Sequence, residues 1–218
     1  MLILPWQMAL ATAGKVTPDP IFAEIGKNGI NNSGHASLTI SSVNIPAGDV
    51  FVAAGFNLNR GISSITIDGS NNMTELLDIN NGNARLGIWG FSGYTGGSNV
   101  DIVLTPSSSA TFSAAIAFSV ENPNWNAESD EFTDSVTGTS NATRALSISN
   151  TNSRQLAVFA GLGNSGSAIT MTGDTGSFDA NYTFKLRIGY TFPATGDDPV
   201  DVTVNSALLA GGVVLNDS

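Results

Sequence analysis

Residues 49–59 read DVFVAAGFNLN, and residues 155–165 read QLAVFAGLGNS. From Val50 to Phe56 the first stretch is apolar or small at every position. A strand with one face in water alternates apolar and polar residues, whereas a strand shielded on both faces reads as a continuous apolar run. VFVAAGF is therefore a strand with both faces covered. Ala53, Ala54 and Gly55 leave room for another layer to come close, and the small residues of AGL and AGGVV repeat that property. The candidates for the second cover are the N-terminal segment, the long loops or another subunit.

The likeness of the two stretches extends to their neighbours, in order. SLTIS (37–41) is echoed by ALSIS (145–149), and SSITIDG (63–69) by SAITMTG (167–173). ARLGIWGFS (84–92) corresponds to FKLRIGYTF (184–192), NVDIVLT (99–105) to PVDVTVN (199–205), and SAAIAFSVEN (113–122) to ALLAGGVVLN (207–216). Shared strand order is the mark of an internal duplication.

Sustained i, i+3, i+4, i+7 apolar spacing with helix caps is absent, while short β-branched runs alternate with Gly, Asn, Ser, Asp and Pro clusters. Pro46-Ala47-Gly48-Asp49 and Asp68-Gly69-Ser70-Asn71 are turn sequences, and Asn80-Asn81-Gly82-Asn83 is a hairpin turn built on Asn-Gly. The expected fold is all-β: an antiparallel β-sandwich of jelly-roll type made of two duplicated halves, with an N-terminal arm. Its boundaries are an arm over residues 1–35 and a single sandwich over 36–216. The repeat halves run over about 36–121 and 144–216. Between them, 122–143 is an exposed acidic connection pinned by Trp125 and Phe132; the stretch 121–143 carries five acidic residues and no basic one.

Composition narrows the chemistry. The 218 residues include no cysteine, which excludes disulfides, thiolate metal sites and cysteine nucleophiles. Only 12% are charged, and the eight Lys and Arg are scattered against a net charge of −10. Phosphate backbones and anionic lipid surfaces need clustered cations, so neither nucleic acid nor membrane is an expected partner. The opening MLILPWQMALATAGK carries an Ala-Thr-Ala resembling a signal-peptidase site, yet Pro5 and Gln7 interrupt it and no basic residue precedes the apolar run. It falls short of the roughly 20 residues of a membrane span. It reads as an assembly arm, with Leu2, Ile3, Leu4 and Trp6 as the docking residues.

Catalytic constellations are thin. His35 is the only histidine, sits in the turn-like NNSGHAS, and has no G-x-S-x-G elbow to serve. Glu75 and Asp78 lie three apart, so in a regular strand they point to opposite faces. Asp101 and Asp201 are matched copies, which fits a structural role in each half. No cofactor is expected; calcium, a hard cation needing six to eight oxygens, has weak candidate ligands in Asp68, Asn71, Asp78 and Asn80. On ARLGIWGFS, Leu86 and Ile88 share one face and Arg85, Gly87, Trp89 and Phe91 the other. With Tyr94 nearby, Arg85, Trp89 and Phe91 are the candidates for stacking on a glycan; the plainer reading is that Trp89 and Phe91 cover the sheet or join a subunit interface.

PAGDVFVAAG, SSITIDGSNNMTELL and NARLGIWGFSGYTGGSNVDIVLTPSSSATFSAAIAFS together resemble the β-sandwich modules of tailed-bacteriophage virions and of bacterial surface proteins. Those run as PAGD and an apolar strand, an S-I-T-D-x-x-G-N-T turn, a strand ending in I-W, then T-V-T-V-T. Here Ile67-Asp68-Gly69-Ser70-Asn71-Asn72-Met73-Thr74 departs from that turn. The resemblance implies a non-enzymatic virion structural protein, a capsid decoration protein or a tail or fibre component on the virion surface. Its partners would be other copies of itself, other virion proteins and a host-surface glycan. The alternative it leaves is a secreted or surface carbohydrate-binding module.

Overall fold

The protein was analysed as a computed structural model, which describes residues 19–30, 34–57, 60–111, 113–123, 125–148, 155–164, 168–191 and 200–217. Its strands are β1 (Ile21–Ile30), β2 (Leu38–Ile45), β3 (Gly48–Asn57), β4 (Ile62–Ile67), β5 (Asn71–Asn72), β6 (Thr74–Asn80), β7 (Ala84–Tyr94), β8 (Gly97–Pro106) and β9 (Ser113–Glu121). The second series is β10 (Trp125–Ile148), β11 (Ala157–Gly163), β12 (Thr170–Thr172), β13 (Gly176–Asn181), β14 (Lys185–Thr191) and β15 (Val200–Asp217). The described residues contain no helix, and the named strands pair antiparallel throughout.

The first series builds two sheets, one ordered β1-β9-β3-β7-β6 and the other β2-β8-β4-β5. This is jelly-roll pairing, in which strands of the same chain alternate between two facing sheets. The run Asn71–Asn80 changes sheets midway: β5 pairs with β4 and β6 with β7, and Met73 N still bonds the Ile65 carbonyl (2.9 Å) at the crossing.

The second series repeats the scheme with fewer, longer strands. Its large sheet runs β10-β15-β11-β14-β13, and β12 pairs with the N-terminal part of β15. β10 does the work of both β1 and β2, and β15 that of both β8 and β9. Trp125 to Thr137 of β10 lies along the C-terminal part of β15, and Arg144 to Ile148 along its start. The corner is turned by bulges between Thr137 and Arg144 and by Ser206, whose φ of 60° kinks β15. In the first series the same corner is closed by the paired backbones of His35 and Ala110 (2.9 and 3.1 Å).

Three apolar cores show how the sheets stack. Val50, Val52, Ala54 and Phe56 of β3 face Leu38, Ile40, Ile65, Ile102 and Leu104 of the first small sheet. Ala157 and Phe159 of β11 face Leu146, Val202 and Val204 in the matching place. The largest core lies between the two large sheets, where Phe51, Ala53, Leu86, Ile88, Ile116 and Phe118 meet Val158, Ala160, Leu162, Leu186, Ile188 and Leu209. The body is thus four sheet layers, two jelly rolls back to back, rather than the single sandwich expected over 36–216, because each large sheet is apolar on both faces. The second cover of VFVAAGF is the other half of the same chain, in place of the N-terminal segment, loops or subunit anticipated for it.

Three further expectations are corrected. The described part of the 1–35 arm is strand β1, the edge of a large sheet; its Glu24/Gly26 bulge breaks the alternation that would have marked it. The 122–143 connection is, in its described residues, mostly β10, a polar strand whose ladder with β15 satisfies its backbone without an apolar pattern. Finally, matching VFVAAGFN to LAVFAGLG residue for residue places Phe51 on Ala157, but these face different cores. The equivalent strands are one residue out of that alignment, because a one-residue slip exchanges the faces of a strand.

The seam between the halves is close-packed. A Cβ at Gly55 would run into the Leu162 side chain, and one at Gly90 into the backbone carbonyl of Ala127. A leucine side chain can turn aside; a carbonyl held in a sheet cannot. Gly90→Ala is therefore expected to cost more stability than Gly55→Ala, the latter staying near the 1 kcal/mol low end of overpacking. Urea unfolding of the two variants tests the order, and equal losses would refute the seam geometry.

Candidate functional site

Arg85, Trp89, Phe91 and Tyr94 all belong to β7, on or beside the face turned to the first small sheet. Trp89 is 4% exposed and lies across Gly87, whose missing side chain makes space for the indole. Tyr94 is also buried, and Phe91, half-buried, meets its ring edge-on at 6.2 Å. Burial raises the Tyr94 phenol above its usual pKa. The Arg85 guanidinium is taken by the Asp78 carboxylate on the neighbouring strand, through both Nε and Nη2. These four residues therefore form no exposed platform for stacking on a sugar. The division of faces along ARLGIWGFS holds, but the face carrying Trp89 turns inwards.

The oxygen ligands weighed for calcium are dispersed. Asp68 sits in the β4–β5 turn with φ of 55°, and Asn71 is in β5. Asp78 is held by Arg85 on β6, where Asn80 ends the strand, so the two pairs belong to different sheets. Among the described residues no three His, Cys, Asp or Glu side chains form a group that could hold a metal ion. A bulge at Leu76 puts Glu75 opposite Trp89 and Asp78 opposite Gly87, so the two acids share a face, contrary to regular-strand spacing. Asp101 accepts a bond from Ser42 N (2.8 Å) at the β2 bulge, and its carbonyl accepts one from Asp68 N (2.9 Å). Asp201 lies in β15 opposite Ser147, with Gly173 packed on its carbonyl. His35 Nε2 lies 2.9 Å from Ser113 Oγ, but Ser113 is wholly buried and out of reach of a substrate. Leu2, Ile3, Leu4 and Trp6 lie outside the described residues.

A different acid stands out. Asp49 is the second residue of β3 and is 1% exposed. Its Oδ1 accepts bonds from Gly93 N (2.9 Å) and from the Ser92 hydroxyl (3.3 Å), while Oδ2 is buried with no partner. Ser92 Oγ in turn accepts from Ala127 N (3.2 Å), and Ser92 N reaches the Glu128 carboxylate at 3.4 Å. Two acids thus flank one serine where β10 of the second half crosses β7 of the first. Burial lifts the Asp49 carboxyl from 3.8 to about 6; the bonds from Gly93 and Ser92 pull the other way, and the charge of Glu128 adds to the rise. In sequence Asp49 is only the last residue of a Pro-Ala-Gly-Asp turn. Its one hint is a carboxylate at the mouth of an apolar run.

No protein-family model matches the chain, and no curated protein matches it in sequence.

The Asp49 shift fixes a pH dependence. Its folded-state pKa lies above the unfolded value, so the folded protein binds the proton more tightly, and stability falls as pH rises between about 4 and about 6. By neutral pH the loss is on the order of 2–3 kcal/mol. Asp49→Asn, which cannot ionise, should melt higher than wild type at pH 7 and close to it at pH 4. A gap between the two that stays constant across that range would refute the assignment.

Proposed function

We propose that this chain is a non-enzymatic structural protein of a bacteriophage particle, a capsid decoration protein or a tail or fibre component displayed on the virion surface. The observation that carries the reading is the tandem jelly roll stacked through its two large sheets, since double-sheet jelly rolls are a recurrent frame of viral capsid domains. Function is argued from sites more than from folds. Here the chemistry-bearing groups described above are engaged in holding corners, bulges and seams. Neutral Asn, Ser, Thr and Gly supply most of the polarity, and only 12% of residues are charged. The sequence resemblance to virion modules points the same way. The carbohydrate-binding alternative has less support, because Trp89 and Tyr94 are buried and Arg85 is paired, leaving only Phe91 half-buried.

On this reading the partners are further copies of the chain and other virion proteins, in a closed symmetric arrangement. The apolar segment carrying Leu2, Ile3, Leu4 and Trp6 is then the assembly device. Peptide mass spectrometry of particles purified from the source culture should recover the chain at a fixed ratio to the major capsid or tail protein. Antibody-gold should label the outside of those particles. Purified particles free of the chain would overturn the proposal. Light scattering during size exclusion should give a defined oligomer for the full chain and a smaller species after deletion of residues 1–18; identical masses would remove the segment from that role.

A further inference from the structure

The halves are joined by Asn122, Pro123 and Asn124, between the end of β9 and the start of β10. Asp49 lies beside this crossing, since its register partner on β9 is Val120, one residue before Glu121 ends the strand. The first residues of β10 reach the first half through the polar chain Ala127 N to Ser92 Oγ to Asp49 Oδ1. They also pack apolar groups there, with Trp125 and Ala127 in the large core.

The charges around Asp49 are of one sign. β3 carries no other ionisable group, and β9 contributes Glu121 alone. β10 brings Glu128; its one cation, Arg144, is at the far corner, bonded to the Ala207 and Ser140 carbonyls. β7 offers the Tyr94 phenol and, at its other end, Arg85, which Asp78 occupies. On β1, which pairs with β9, Lys27 is joined to Glu24 at 3.1 Å. Nothing cationic on these strands compensates a negative Asp49 with a bare, buried Oδ2. A charge without a partner in such surroundings is unfavourable, and a second carboxylate bound to the same serine increases the cost.

We propose that Asp49, Ser92 and Glu128 form a proton-operated latch between the two halves, closed while Asp49 Oδ2 carries a proton and released when that proton is lost to water. In the closed form Asp49 is neutral and the Ser92 hydroxyl bridges it to Ala127 N. In the released form two like charges face each other across Ser92, and the least embedded partner, the exposed Glu128 at the start of β10, moves away. Opening is local: the ladder of β10 with β15 from Phe132 onward does not depend on Asp49. The connection between the halves therefore loosens in neutral surroundings and tightens in mildly acidic ones.

Hydrogen exchange of the full-length protein, followed by mass spectrometry and corrected for the intrinsic pH dependence of exchange, tests this directly. Between pH 5 and pH 8 the protection of a peptide covering Trp125–Glu128 should fall about tenfold or more, one pKa unit being a factor of ten. Peptides from β11 and β14 should hold their protection. Asp49→Asn should keep the Trp125–Glu128 segment protected at pH 8. If that variant does not fold, Glu128→Gln provides the same readout: with the second like charge gone, the Trp125–Glu128 segment should keep most of its protection at pH 8. Unchanged wild-type protection across the range, or an Asp49→Asn or Glu128→Gln protein that opens like wild type, would each overturn the latch.

Discussion

Everything in this structure follows from strands that have no wet face. β3, β9, β11 and the C-terminal part of β15 are apolar on both sides, so each needs two covers. One sandwich supplies only one. Stacking the two large sheets supplies the other, and the chain does so with its own second half. Burying each large apolar side chain contributes roughly 1.5–3 kcal/mol, so the central layer, the largest of the three cores, supplies a major share of the stabilising area. The close approach is possible because Gly55, Gly90 and Gly211 stand where a side chain would meet the opposite sheet. At one end an aromatic group closes the seam, with Phe22 of β1 stacked 3.8 Å from Tyr190 of β14 and Phe118 between neighbouring rings.

An interior so thoroughly apolar drives polar chemistry to corners and crossings. His35 with Ser113 occupies the corner of the first jelly roll, and Arg144 with the Ala207 and Ser140 carbonyls that of the second. Asn81 sends its amide to the Gly138 carbonyl (2.6 Å), tying the β6–β7 hairpin to β10 across the halves. Side chains also lace the open edges of the stacked sheets: Asn28 of β1 bonds the Thr39 carbonyl of β2, and Asp134 of β10 accepts from Ser147 N further along the same strand. An edge whose backbone groups are taken in this way is a poor template for stray pairing.

How much of this was legible in the sequence depended on which forces set each element. The all-β character, the duplicated order of strands along the chain and the two-sided nature of VFVAAGF were open to reading, because periodicity and turn residues act locally. The identity of the second cover was not, since an apolar face says that it is buried and leaves open against what. β1 and β10 were missed for another reason: IFAEIGKNGI and WNAESDEFTDSV owe their strand state to ladder bonds with distant partners, which override weak local preference. For Trp89 the alternation gave the face, but choosing between packing and glycan contact required the opposing sheet. Asp49 was the hardest, because its burial is made by β7 and β10, distant in sequence.

The unbroken course of β10 and β15 has a mechanical meaning. In the first half each layer is built of separate strands. In the second, one strand pair passes through both layers, and its ladder extends from Trp125 opposite Asp217 to Ile148 opposite Val200. The ladder bonds run perpendicular to the strands. Tension applied to the end of β15 along its axis therefore loads the ladder in shear, shared among many bonds, while a pull across the strand would unzip them one by one. The second half is the stiffer anchor of the molecule, and a load entering through the end of β15 is spread over two sheets before it reaches the first half.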